Sequence, residues 1–145
     1  MDYKELPVYQ KARLLVKGID ALVKKFPNTP QAWTVSKQLF ASATSIGANI
    51  AEGRGRHIGK EYEMFLYYAQ GSANEADHWL HTCKDCQLGA DAKMDALINL
   101  NIEVRKLLSA TLTSLQRNIA QHGSKTLKEE GIEYLTEDPD LPPDF

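Results

Sequence analysis

From Gln38 to Ala51 the chain has no charged side chain. It also has only two cysteines, no apolar run of membrane-spanning length, no strand-like alternation and no internal repeat. Each absence excludes something. The uncharged run is too short, and too rich in Gln, Ser, Thr and Asn, to cross a bilayer. The N-terminus, MDYKELPVYQ, is polar and lacks the h-region of a signal peptide, so the cytoplasm is the expected location. Two cysteines in such a chain read as plain buried or half-buried thiols. What remains is ordinary for a soluble globular protein: 43% apolar and 25% charged residues. At 145 residues the chain fits one domain. A domain of that size buries roughly 70% of its unfolded surface.

The uncharged run, QLFASATSIGANIAEG, organises the rest. Leu39, Ala43, Ile46 and Ile50 form one helical stripe. Gln38, Ser42, Ser45, Asn49 and Glu52 form a second, roughly 100° away. Ala41, Thr44, Gly47, Ala48 and Ala51 fill the remainder with small groups. A helix without charge on any face is buried on all sides. The expectation is a helix packed both on its own bundle and on a neighbouring subunit.

Four helices are predicted. Helix 1 covers Pro7–Phe26, with Val8, Ala12, Leu15, Ile19, Leu22 and Phe26 as its stripe and Pro7 in its first turn. Gly18 in its interior costs about 1 kcal/mol against Ala. Pro27–Pro30 is a turn. Helix 2 runs from Gln31 to Glu52, capped by Thr29 and stopped by Gly53 and Gly55. Helix 3 runs from Lys60 to Leu88, its stripe being Tyr62, Phe65, Leu66, Ala69, Ala73, Ala76, Leu80 and Cys83; Gly89 ends it. Helix 4 starts after a cap at Asp91 and runs to Gln121, with Leu97, Leu100, Val104, Leu108, Leu112, Leu115 and Ile119 inward. The fold class is therefore all-α: an antiparallel up-down four-helix bundle over residues 1–122. Residues 123–145 form an acidic tail, extended or disordered, into which Leu127, Ile132, Tyr134 and Leu135 can bring docking contacts.

Charge is unevenly placed. Residues 123–145 carry seven acidic and two basic residues, net −5, and residues 1–122 carry 15 basic and 12 acidic, net +3. A mildly basic body can meet an anionic partner. Lys11, Lys17, Lys24, Arg54, Arg56 and Lys60 are the candidate nucleic-acid contacts. Arg54, Arg56 and Lys60 flank the start of helix 3, where free N–H groups favour anions. The competing reading is a solvated loop whose arginines pair with Glu52 or Glu61. The G-x-G-x-x-x-G spacing of that loop follows a helix, not a strand, and matches no nucleotide fingerprint.

Metal and redox chemistry fit poorly. His78, His81, Cys83 and Cys86 spread over about 200° of one helix and cannot converge on a tetrahedral ion. Cys83 and Cys86 sit near a helix C-terminus, where no dipole lowers a thiol pKa. Glu75-Ala-Asp-His78 matches half of a di-iron motif, but the second Glu-x-x-His is missing. No nucleophile–base pair stands out. The expectation is a non-enzyme without cofactor or metal.

The segment SIGANIAEGRGR (45–56), followed by KEY-x-x-FL-x-x-A-x-GS-x-x-E (60–75), resembles the bacterial four-helix-bundle family of 23S rRNA intervening-sequence proteins. Relatives include the Avd accessory proteins of diversity-generating retroelements. The likeness begins at Leu6-Pro-Val-Tyr9 and extends to about Gly89. It implies a homopentameric ring with an accessory role, binding RNA or DNA and, in retroelements, a reverse transcriptase, in support of cDNA synthesis. It marks Gln38, Ser45, Asn49, Glu52, Gly53, Gly71, Ser72 and Glu75 as structural or oligomer-forming. Ser45, Asn49 and Glu52 are expected to hydrogen-bond across helices to Ser72 and Glu75. Two departures stand out. Phe40-Ala41 replace a pair of arginines found in many relatives, and Ile58 stands where a capping serine is usual. An adaptor ring that binds only protein is the alternative.

Overall fold

Helix starts follow local rules closely. The structure is a computed structural model that describes the backbone of residues 2–56, 59–89 and 92–130, with side chains to residue 122. A 3-10 turn, Tyr3–Glu5, is closed by a reciprocal cap between Asp2 and Glu5. Pro7 then opens α1 (Pro7–Val23), where its missing N–H would be unpaired anyway. Thr29 caps α2 (Pro30–Gly55): its hydroxyl accepts from the Ala32 N–H at 3.2 Å. Gly59 precedes α3 (Lys60–Asp85) with φ 78° and ψ −147°, a conformation open to glycine alone at low cost. α4 spans Ala92–Glu130. Ile58 and the expected cap Asp91 lie outside the described residues.

Helix ends depart from the sequence reading. α1 stops at Val23, three residues early. Gly53 and Gly55 do not stop α2; both are helical. Gly53 is there for packing, since a Cβ on it would lie 2.7 Å from Phe65 Cβ and 3.0 Å from Tyr62 Cδ2. Gly89 does not end α3 either. Gln87 does, in the left-handed conformation at φ 58°. The Leu88 N–H bonds back to Cys83 O (2.8 Å) and the Gln87 N–H to Lys84 O (3.1 Å), the two bonds of a Schellman motif. Cys83 and Leu88 are both buried, which adds the usual apolar contact. Gln87→Gly should therefore raise stability by about 0.5–1 kcal/mol, because glycine enters this conformation without a Cβ penalty. Thermal melting checks it; an unchanged or lower midpoint would mean the Gln87 side chain contributes more than its backbone costs. α4 continues through Gly123 to Glu130 instead of ending near Gln121. One glycine costs a helix about 1 kcal/mol, and the Lys, Leu and Glu residues beyond it are good helix formers. The expected tail order and docking beyond residue 130 fall outside the described residues.

The four apolar stripes meet in one core. Leu15, Ile19, Leu39, Ile46, Ile50, Leu66, Leu80, Met94 and Leu108 are among its fully buried side chains. Each helix packs on its neighbours in sequence, and α4 closes the ring on α1. Cross-helix pairs run in opposite order, which makes neighbours antiparallel: Ser45 with Ser72 and Gly53 with Phe65; Lys84 with Asp95 and Gln70 with Ser109; Lys11 with Glu103 and Gly18 with Leu97. Gly18 has its packing reason, because a Cβ there would meet Leu97 Cδ2. Gly47, expected at a close helix contact, faces Tyr9 of α1, whose ring carbon would lie 3.3 Å from an added Cβ.

Candidate functional site

Polar residues along the α3–α4 seam form a ladder that the sequence reading missed. Glu63 accepts from Gln116 (2.8 Å), Gln70 donates to Ser109 (3.1 Å), Asp77 pairs with Arg105 (3.7 Å) and Lys84 with Asp95 (2.9 Å). Glu63, Gln70, Asp77 and Lys84 recur every seven residues. That recurrence is the flank pattern of paired helices and was a usable signal. Inside the seam, Asn101 is fully buried and donates from Nδ2 to Ala73 O at 2.9 Å.

The motif residues gather on the opposite flank of α3, at its outer junction with α2. Ser72 donates its hydroxyl proton to Ser45 Oγ at 2.9 Å, the one expected cross-helix bond found among the described residues. Asn49 instead donates to Ser45 O (2.9 Å) and Ser45 Oγ (3.0 Å) on its own helix. Glu52 binds Arg56, and Glu75 accepts from Trp79 Nε1 at 3.2 Å; both bonds are likewise intrahelical. Asn49 is half-buried, whereas Asn101 is fully buried. Gln38, Glu52, Gly71 and Glu75 are exposed, Ser45 and Ser72 half-buried, and Gly53 buried.

Within one chain α2 is not buried on all sides. Its outer face shows Trp33 (60% exposed), Phe40 (39%), Ala41, Thr44 and Ala48. The hydroxyls of Thr34 and Thr44 donate to carbonyls of their own helix, which leaves little polar demand on that face. Met64 and Tyr68 extend the apolar exposure onto α3. One turn beyond Tyr68 on the same stripe sits Gly71, where an added Cβ would meet nothing within 4 Å. Packing inside the chain gives no reason for this mid-helix glycine.

The six candidate basic residues do not form one patch. Lys11 pairs with Glu103 at 2.7 Å, and that contact holds the Glu103 carboxyl below its ordinary pKa, with Lys106 adding to the effect. Lys24 pairs with Asp20, Arg56 with Glu52 and Lys60 with Glu63. Arg54 lies over the Tyr62 ring at 5.9 Å, and burial pushes the Tyr62 pKa up against the pull of that cation. Lys17 is exposed. Lys24 and the Arg54–Lys60 group sit at opposite ends of α2, about 39 Å at 1.5 Å per residue.

Among the described residues no three His, Cys, Asp or Glu side chains come together as a metal would require. Cys83 is buried and Cys86 exposed. Burial, and secondarily the nearby Cys86, push the Cys83 thiol up to about 11, away from nucleophilic use. No helix is long and apolar enough to cross a membrane among the described residues.

The model of one protein family, the 23S rRNA-intervening sequence proteins, matches residues 4–110. The chain belongs to that family. A crystal structure of a protein of unknown function from the S23 ribosomal protein family of Bacteroides thetaiotaomicron has a similar fold. It is 28% identical, covers 72% of this chain and 97% of its own, and superposes with a TM-score of 0.67. No curated protein matches. The match to the intervening-sequence family spans all of α1 to α3, and with them every motif residue at the α2–α3 junction.

Proposed function

We propose that this member of the intervening-sequence family is a non-enzymatic accessory protein that assembles into a homopentameric ring and works on nucleic acid. Its resemblance to retroelement Avd proteins extends the reading to a reverse transcriptase as partner and to support of cDNA synthesis. One observation carries the assembly: the exposed, uncharged stretch of the α2 outer face from Phe40 to Ala48, continued on α3 by Met64 and Tyr68 with Gly71 open beside them. Contiguous apolar surface of this kind marks an interaction site. A helix-interior glycine costs about 1 kcal/mol, and a close backbone approach by another copy is a sufficient reason for it. A head-to-tail contact, in which this face meets a different face of the next copy, closes into a ring when its rotation closes.

The nucleic-acid part is supported by the net charge of +3 on residues 1–122, which a ring multiplies. The second reading, an adaptor ring that binds only protein, is favoured by the carboxylate partners of Lys11, Lys24, Arg56 and Lys60. Light scattering should give a mass about five times the 16.2 kDa chain. Gly71→Leu and Ala48→Glu, both outward-facing, should reduce that mass while circular dichroism stays helical. A monomeric wild type would overturn the assembly. An electrophoretic shift at low salt, lost as salt rises, separates the two readings of its partner.

A further inference from the structure

We propose that the cleft between α3 and α4 receives one nucleotide of a single-stranded nucleic acid. The cleft holds about 460 Å³, is open to solvent and is lined by Gln70, Asn74, Ile102, Arg105, Lys106 and Ser109. That volume is within the usual range of small-ligand sites, roughly 300–1,000 Å³. The inference rests on the nucleic-acid reading above and gives it a location that the motif residues do not.

The lining supplies each part of a nucleotide contact. Arg105 and Lys106 are adjacent cations. Asp77 holds the Arg105 guanidinium from one side at 3.7 Å, a loose pair that leaves other N–H groups available. Among the described residues no carboxylate lies within ion-pair distance of Lys106. Together they suit a phosphodiester, for which a planar guanidinium fork and a point charge are complementary donors. Asn74 is exposed and offers an amide edge. Gln70 spends one amide hydrogen on Ser109 (3.1 Å), which leaves its carbonyl as an acceptor. Amide side chains read the edges of unstacked bases. Ile102, 37% exposed in otherwise polar surroundings, provides an apolar floor for a base or ribose.

Position supports the assignment. Gln70 and Asn74 lie roughly 100° or more around α3 from Ser72 and Glu75. Gln70 lies about 100° and Asn74 about 60° from Gly71, so the cleft borders the α2–α3 face and does not lie within it. The polar seam beneath it, from Glu63 to Lys84, holds the two helices in register. Its walls are thus set before a ligand arrives, which lowers the ordering cost of binding.

The test uses the full chain and fluorescence anisotropy with a fluorescein-labelled single-stranded RNA, and with DNA of the same sequence. Arg105→Gln with Lys106→Gln should weaken binding about tenfold and flatten its salt dependence. Lys4→Gln with Arg13→Gln, two exposed cations outside the candidate contacts, removes the same charge and should change affinity less than about threefold. Asn74→Ala should weaken binding severalfold with the salt slope intact, because it removes a base contact and no charge. Equal losses from the two charge pairs would replace the cleft with a diffuse field and overturn the proposal. So would wild-type binding that neither Arg105→Gln/Lys106→Gln nor Asn74→Ala disturbs; the nucleic-acid reading would survive that result. Absence of wild-type binding to either strand at low salt would end both. Competition by inorganic phosphate equal to that of a nucleoside monophosphate would leave an anion site only, which also overturns it.

Discussion

Asn101→Leu should stabilise the fold. Asn101 is fully buried amid Met94, Leu97, Ile98, Val104 and Leu108 of its own helix's inner face. Its Nδ2 bonds Ala73 O, but its Oδ1 is buried without a hydrogen-bond partner among the described residues. An unpaired buried acceptor costs about 1–3 kcal/mol, more than one ordinary hydrogen bond returns. Leucine is close in size, fills the site and removes the deficit. The expected gain is about 1–3 kcal/mol, or roughly 2–4 °C in Tm for each kcal/mol in a chain of this length. A loss of specificity should accompany it. A lone core asparagine penalises every register that leaves it without its partner, so the wild type gives up stability for one alignment of α4 on α3. Broader amide spectra or mixed oligomer masses in the mutant would report that. Equal or lower stability would mean Asn101 is better satisfied than the geometry indicates.

Gly53→Ala should destabilise, although alanine is the better helix former. The substitution gains about 1 kcal/mol of helix propensity. It also places a Cβ 2.7 Å from Phe65 Cβ, an atom next to the α3 backbone that no rotamer change can move. α2 and α3 must separate where they are closest. Overpacking of this kind typically costs 1–3 kcal/mol, with larger values when backbone must shift. A net loss of up to about 2 kcal/mol is expected on these figures. Gly18→Ala is the contrast. Its added Cβ meets Leu97 Cδ2, the far end of a flexible side chain, so the propensity gain should offset the crowding. Denaturant titration of both variants decides the matter. If Gly53→Ala proves as stable as wild type, α2 and α3 are not in backbone-limited contact there.

Both predictions depend on contacts that no local pattern announces. Four helices, their inward stripes and the caps at Pro7 and Thr29 were legible in the chain, because helical periodicity and the first-turn donors are local properties. Helix ends were less legible. Glycine was read as a stop at Gly53, Gly55 and Gly89, yet Gly53 answers to Phe65 and the true α3 terminator is Gln87. A glycine placed for close approach and a glycine placed for a left-handed turn look identical in sequence; only the neighbour across the interface tells them apart.

The same holds for the polar residues. Sequence alone determined that α2 carries no charge over Gln38–Ala51, and that this run belongs with the intervening-sequence family. It could not say which of Asn49 and Asn101 is the buried one. Both sit at helical spacing among apolar residues, and a shift of about 100° around the helix decides between core and surface. Tertiary structure put Asn101 inside and turned Ser45, Asn49, Gly71 and Ser72 toward an outer valley. It also brought Gln70 and Asn74 beside Arg105 and Lys106, residues about thirty positions apart that only the antiparallel pairing of α3 and α4 unites. Periodicity fixes what one helix offers; the packing angle and register of its neighbours fix what each offered face meets.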